Sequence, residues 1–129
     1  MLTEADKKLL GAENLQYEAI PDGQMLALIL RAYELPAGYE PSRVDLLLFL
    51  PAGFPDAAPD MFWTYPIVTY AGGGAPSATE VRFDFNGRVW QRWSRHLAFA
   101  WRPGIDNLQT YLRLIKTDLE ASVQVAAAA

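Results

Sequence analysis

The sequence predicts an α+β fold, in which an antiparallel sheet is covered by a C-terminal helix, and three observations carry the prediction. Strand-length apolar runs separated by turn signals follow one another between residues 15 and 65, with no helical spacing among them. Ile105, Leu108, Leu112, Ile115 and Leu119 then recur at helical spacing and supply one apolar stripe that can cover a sheet. Between them stands the corner 50–63, in which Pro55 and Pro59 fix φ and remove two backbone donors. Such a corner leaves the sheet as a stiff loop that holds Phe54, Phe62 and Trp63 in place.

Taken in order, Thr3 with Asp6 caps a short helix through about Ala12, with Leu2, Leu9 and Leu10 on its buried side and Asn14 as its breaker. Residues 15–20 and 25–33 read as two strands joined through Pro21-Asp22-Gly23-Gln24, a sequence that supplies the dihedrals of a tight turn. Residues 35–41 form a connector. Val44 to Leu50 is nearly continuous apolar sequence, as expected of a central strand covered on both faces. Met61 to Tyr65 suits a fourth strand, after which Pro66 and the Gly72-Gly73-Gly74 run end the meander. Asn86-Gly87 is a strong hairpin signal because both residues accept positive φ, and it predicts a short ribbon or loop outside the main sheet. Asp106 with Gln109 forms a capping-box pattern at the start of the last helix.

At 129 residues, 51% hydrophobic and 20% charged, the chain suits a single domain over 1–122, with 123–129 as a frayed or helical tail. No apolar run spans a bilayer and the amino end lacks a signal-peptide pattern, so a cytoplasmic protein with no membrane association is expected. There is no cysteine and a single histidine, His96, so no disulfide, thiolate site, metal centre or cofactor is expected. The net charge is −4, yet residues 82–102 hold Arg82, Arg88, Arg92, Arg95 and Arg102 against Asp84 alone. This local reversal marks either a surface for an acidic partner or arginines that pair with the acidic remainder.

The proline corner with Phe54, Pro55 and Pro59, then Asn86-Gly87-Arg88, then Trp101-Arg102-Pro103 ahead of a Leu-x-x-x-Leu-x-x-Ile helix, resembles the ubiquitin-conjugating (UBC) fold. The resemblance covers roughly residues 1–122. It implies an N-terminal helix, a four-stranded meander and a C-terminal helix packed on the sheet. It implies a component of a bacterial ubiquitin-like conjugation pathway, with a ubiquitin-like protein, its activating enzyme and a JAB-type peptidase as partners. The family's thioester-forming cysteine is missing. Counted from Asn86-Gly87-Arg88 its position falls at Trp90, and counted back from Trp101 it falls at Trp93, so the two anchors differ by three residues.

What remains for chemistry is Ser94, the only Ser or Thr between Thr79 and Thr110, followed directly by Arg95 and His96. A serine ester is a workable carrier if His96 removes the hydroxyl proton, and Arg92 and Arg95 can hold the oxyanion or a carboxylate tail. Equally, His96 can cap a turn or pack under Trp101, which leaves an inactive adaptor. Trp90, Trp93 and the arginines Arg88, Arg92 and Arg95 form a candidate partner-binding group, and the same tryptophans can instead be a hydrophobic cluster. Trp101 with Pro103 reads as packing at the helix entrance. Asp56 and Asp60 read as carboxylates that bond nearby amides. A non-enzymatic RWD-type interaction module shares this architecture. Single-stranded nucleic acid could stack beside the arginines, but the overall acidity argues against it.

Overall fold

The computed structural model describes residues 2–128. Helix α1 (Glu4–Ala12) begins in a reciprocal cap: the Asp6 amide donates to Thr3 Oγ1 at 3.0 Å, and the Thr3 amide donates to Asp6 Oδ2 at 3.0 Å. It ends where Asn14 adopts φ 58°, a left-handed conformation that asparagine tolerates. Strands β1 (Tyr17–Asp22) and β2 (Met25–Glu34) form the first hairpin, with Asp22 opposite Met25 across the Gly23-Gln24 turn. Pro21 lies inside β1, which is allowed because β1 is an edge strand and the missing donor faces away from the sheet.

β4 (Arg43–Leu50) and β5 (Phe62–Tyr65) continue the meander on either side of the proline corner. β3 (Tyr39–Glu40) and β6 (Thr69–Tyr70) form a separate two-stranded ribbon. β7 (Arg82–Phe85) and β8 (Arg88–Trp93) are joined by Asn86 and Gly87, both at positive φ. This hairpin corrects one expectation, because it belongs to the main sheet. β8 pairs with β5, and the sheet has six antiparallel strands in the order β1-β2-β4-β5-β8-β7. β8 is buried on both sides: Gln91 and Trp93 face the helices while Trp90 faces away from them. Gln91 is accommodated because its Oε1 accepts from the Val68 amide at 2.7 Å and from Thr64 Oγ1 at 3.0 Å, and its Nε2 donates to Val68 O at 3.1 Å.

The sheet is rolled. Phe49 on β4 lies with its ring centroid 5.8 Å from that of Phe83 and 5.4 Å from that of Phe85 on β7. Three strand spacings in a flat sheet would separate those strands by about 14 Å. The roll closes an aromatic cluster of Phe49, Trp63, Phe83, Phe85 and Trp90 on the face that no helix covers.

Helix α2 (Leu108–Ala128) covers the other face through Leu108, Tyr111, Ile115 and Leu119, all fully buried. Two expectations are corrected here. Ile105 is 63% exposed and precedes the helix, while Tyr111 takes a core position. The cap is Asn107 with Thr110, each side chain accepting from the other's amide at 3.2 Å, because Asp106 is already bonded to Arg102. The helix takes in Val123 and runs on to Ala128.

The β3–β6 ribbon lies on α2: Tyr39 Oη donates to Leu119 O at 2.7 Å, and Tyr70 Oη lies 2.7 Å from Ser122 Oγ. Burial pushes the Tyr39 hydroxyl up to about 12, which keeps it protonated as a donor. Gly38 makes this approach possible, since its φ is +107° and an added Cβ would stand 2.6 Å from Val123 Cγ1. Gly38→Ala is expected to cost about 1–3 kcal/mol by overpacking and backbone strain. Urea unfolding checks it, and adding Val123→Ala should recover only the share due to the clash.

Candidate active-site segment and proline corner

The 94–107 segment between β8 and α2 is irregular, and the proline corner holds it at several points. Trp101 Nε1 donates to Pro55 O at 2.8 Å, the Gly104 amide to Asp56 Oδ1 at 2.9 Å, and His96 Nδ1 lies 3.0 Å from Asp60 Oδ1. Tyr111 Oη donates from α2 to Met61 O at 2.7 Å, and burial raises its hydroxyl far above the ordinary tyrosine value. Phe54 and Pro59 are buried beneath the corner, and the Trp101 ring meets Tyr111 edge-on at 6.2 Å. Pro103 is exposed in a turn ahead of Leu108, so the Trp101-Arg102-Pro103 motif does not itself open the helix. Beside this seam an apolar cavity of about 320 Å³ is lined by Leu97, Phe99, Trp101 and Leu114, with Phe99 94% exposed.

Ser94 follows β8 directly, and its amide donates to Ala78 O at 3.0 Å. Its Oγ accepts from Arg92 Nε at 3.1 Å. His96 is exposed and turned to Asp60, so among the described residues Ser94 and His96 share no hydrogen bond. Asp60 is thus the orienting group for His96 that sequence reasoning missed. It lies 36 residues upstream, and only the closure of the seam brings the two together. Asp56 likewise bonds an amide 48 residues away, not a neighbouring one.

Trp90 and Trp93 are both 0% exposed, so neither ring is presented to a partner. Three residues apart on one strand, they point to opposite faces. Trp90 fills the rolled face and donates its Nε1 to Phe85 O at 3.0 Å, whereas Trp93 stacks on Phe62 at 5.2 Å beneath α2. Each position to which the family's cysteine counts is therefore a core side chain.

The arginines divide. Arg88 donates to Asp45 Oδ2 at 2.7 Å and lies 4.5 Å over the Tyr65 ring. Arg95 donates to Asp118 Oδ2 at 3.0 Å and to Ser77 O, and lies over Trp93. Arg102 pairs with Asp106 at 3.0 Å, and this hydrogen bond is the chief cause that holds the Asp106 carboxyl below its ordinary value. Among the described residues the Arg92 side chain bonds only Ser94. Most of the positive window is thus consumed within the molecule.

Asp45 fills a β-bulge in β2, where Ala32 adopts φ 51° and donates its amide to Asp45 Oδ1 at 3.2 Å. Arg31 also pairs with Asp45 Oδ2, at 2.7 Å, and with Glu18. Burial pushes the Asp45 carboxyl up, but hydrogen bonds from Arg88, the Ala32 amide and Arg31 more than offset this and hold it below the ordinary 3.8. A depressed folded value adds stability above the unfolded value and loses it as pH falls through the folded one. Stability of the protein should therefore decline below about pH 4, and Asp45→Asn should flatten that decline. Urea midpoints measured across pH 2–6 on both proteins check this.

No helix among the described residues is long and apolar enough to cross a membrane. No curated protein matches the chain, and no solved structure does. A protein family described as prokaryotic E2 family E matches it over residues 2–122, which takes in α1, the whole rolled sheet, the proline corner and most of α2. The N-terminal helix, the antiparallel sheet and the covering C-terminal helix all fit that match, and the chain belongs to the prokaryotic E2 family E, with a UBC-like fold.

Proposed function

We propose that this E2-family chain serves ubiquitin-like conjugation as a non-covalent component, binding the modifier or its activating enzyme without carrying the modifier as an ester or thioester. One observation supports this reading above the rest: the two positions to which the family's cysteine counts are Trp90 and Trp93, both shut inside the core. A carrier also needs an activated nucleophile with a base in reach. The one hydroxyl in the segment, on Ser94, is engaged by Arg92, and His96 is turned to Asp60. Neither oxygen nor imidazole is arranged for transfer between them.

The test mixes the protein with a ubiquitin-like protein and an activating enzyme from its own organism, and follows co-elution by size exclusion. Co-elution with either one supports the reading. Elution apart from both assigns the chain to the RWD-type class of interaction modules instead.

A further inference from the structure

We propose that Arg92 and Ser94 form a non-covalent receptor for a terminal carboxylate, the free acid end of an extended peptide tail. The identification of that tail with the modifier's own C-terminus rests on the function proposed above. Among the described residues every other arginine of the 82–102 window meets a carboxylate or a carbonyl: Arg82 donates to Thr79 O at 2.7 Å, and Arg88, Arg95 and Arg102 hold Asp45, Asp118 and Asp106. Arg92 is half-buried and donates only Nε, to Ser94 Oγ. A half-buried guanidinium that lacks a counter-charge and is nonetheless held in place is a ready anion site.

The orientation matches a carboxylate. The Nε–Oγ bond fixes the guanidinium beside the serine and leaves its two terminal nitrogens unmatched, while the Ser94 hydroxyl keeps its own proton to donate. Two nitrogens in a planar fork suit the two oxygens of a carboxylate, and the hydroxyl adds a third donor. The surroundings suit a peptide chain. Trp63 stands opposite Arg92 in the β5–β8 register, and Val81, whose carbonyl accepts the Arg92 amide, is 42% exposed, so apolar surface flanks the guanidinium.

A single cation neutralises a monoanion such as a carboxylate and leaves a phosphate dianion half uncompensated. The two positions to which the family's cysteine counts, Trp90 and Trp93, also bracket Arg92.

The test is a nuclear magnetic resonance titration of the whole protein with N-acetylglycylglycine, its C-terminal amide, and inorganic phosphate. The free acid should shift the Arg92 Nε–Hε and Ser94 amide signals, the amide should leave them in place, and phosphate should bind more weakly than the acid. Arg92→Lys keeps the charge but loses the fork, and should weaken binding of the acid about tenfold. Arg82→Ala should leave it unchanged, and the amide spectrum of each variant reports its fold. Equal shifts with acid and amide, tighter binding of phosphate, or an unaffected Arg92→Lys each overturn the proposal. Because the acid–amide contrast is read on the unaltered protein, it decides even if a variant unfolds. Absence of acid binding together with co-elution with the activating enzyme ends this receptor and leaves the proposed function standing, whereas acid binding without co-elution does the reverse.

Discussion

Replacing Trp93 by alanine is expected to lower the stability of the protein by about 3–5 kcal/mol, the range for a large aromatic side chain deleted from a core. The ring is fully buried, stacked on Phe62 at 5.2 Å and edge-on to Tyr39 at 5.9 Å. Its Nε1 donates to Thr64 Oγ1 at 2.9 Å, and that hydroxyl in turn donates to Gln91 Oε1. Deletion therefore opens a cavity and strips a partner from a buried polar chain. Trp93→Phe should cost less, about 1–3 kcal/mol, because it keeps most of the apolar contact and loses chiefly the hydrogen bond. Urea unfolding measures both. A loss below about 1 kcal/mol for Trp93→Ala would mean that β8 is not a core strand.

Trp101→Ala is expected to have the next largest effect, and of a different kind. Trp101 is half-buried, bonds Pro55 O and rests against Tyr111, so it ties the 94–107 segment to the corner without reaching the deepest core. A cost of about 2–3 kcal/mol is expected, below that of Trp93 because less area is buried. The opening should be local, since the elements on either side keep their own contacts. Hydrogen exchange should quicken by at least about tenfold at the Gly104 amide, which bonds Asp56, and at the Arg102 amide, which bonds Asp106. Amides of β2 and β4 should keep their protection. Unchanged exchange at Gly104 would show that the seam is held by the other contacts alone.

What was legible in the chain is what local chemistry decides. Thr3 and Asp6 cap α1 as their spacing predicts, Asn86-Gly87 turns the second hairpin, and the apolar run from Val44 lies in a strand buried on both faces. The corner also reads correctly as scaffolding, because Pro55 and Pro59 restrict the backbone whatever surrounds them. What was hidden depends on residues far apart in the chain. Gln91 looks like a surface residue until Thr64 and Val68 satisfy its amide, and that concealed the place of β8 in the sheet. Asp106 and Asn107 are both plausible caps, and Arg102 decided between them by occupying the aspartate.

The candidate site was less legible than the fold for the same reason. Adjacency of Ser94 and His96 suggested a pair, yet the β8 geometry gives Ser94 to Arg92, and the seam gives His96 to Asp60. The crowding of aromatics from Trp90 to Trp101 conceals three separate roles. Trp90 fills the rolled face, Trp93 packs beneath α2, and Trp101 latches the corner. Alternation along a strand separates the first two, but only once β8 is known to be a strand with both faces covered.

The E2-family scaffold keeps its architecture, and on the function proposed above it carries no acyl group. The test that bears on this most closely is the denatured intact mass of the protein after incubation with ATP, a ubiquitin-like protein and an activating enzyme from its own organism. The expected result is the unmodified mass at every time point. A mass increased by the modifier less one water, removed by mild base and absent from Ser94→Ala, would contradict the claim and make Ser94 the carrier.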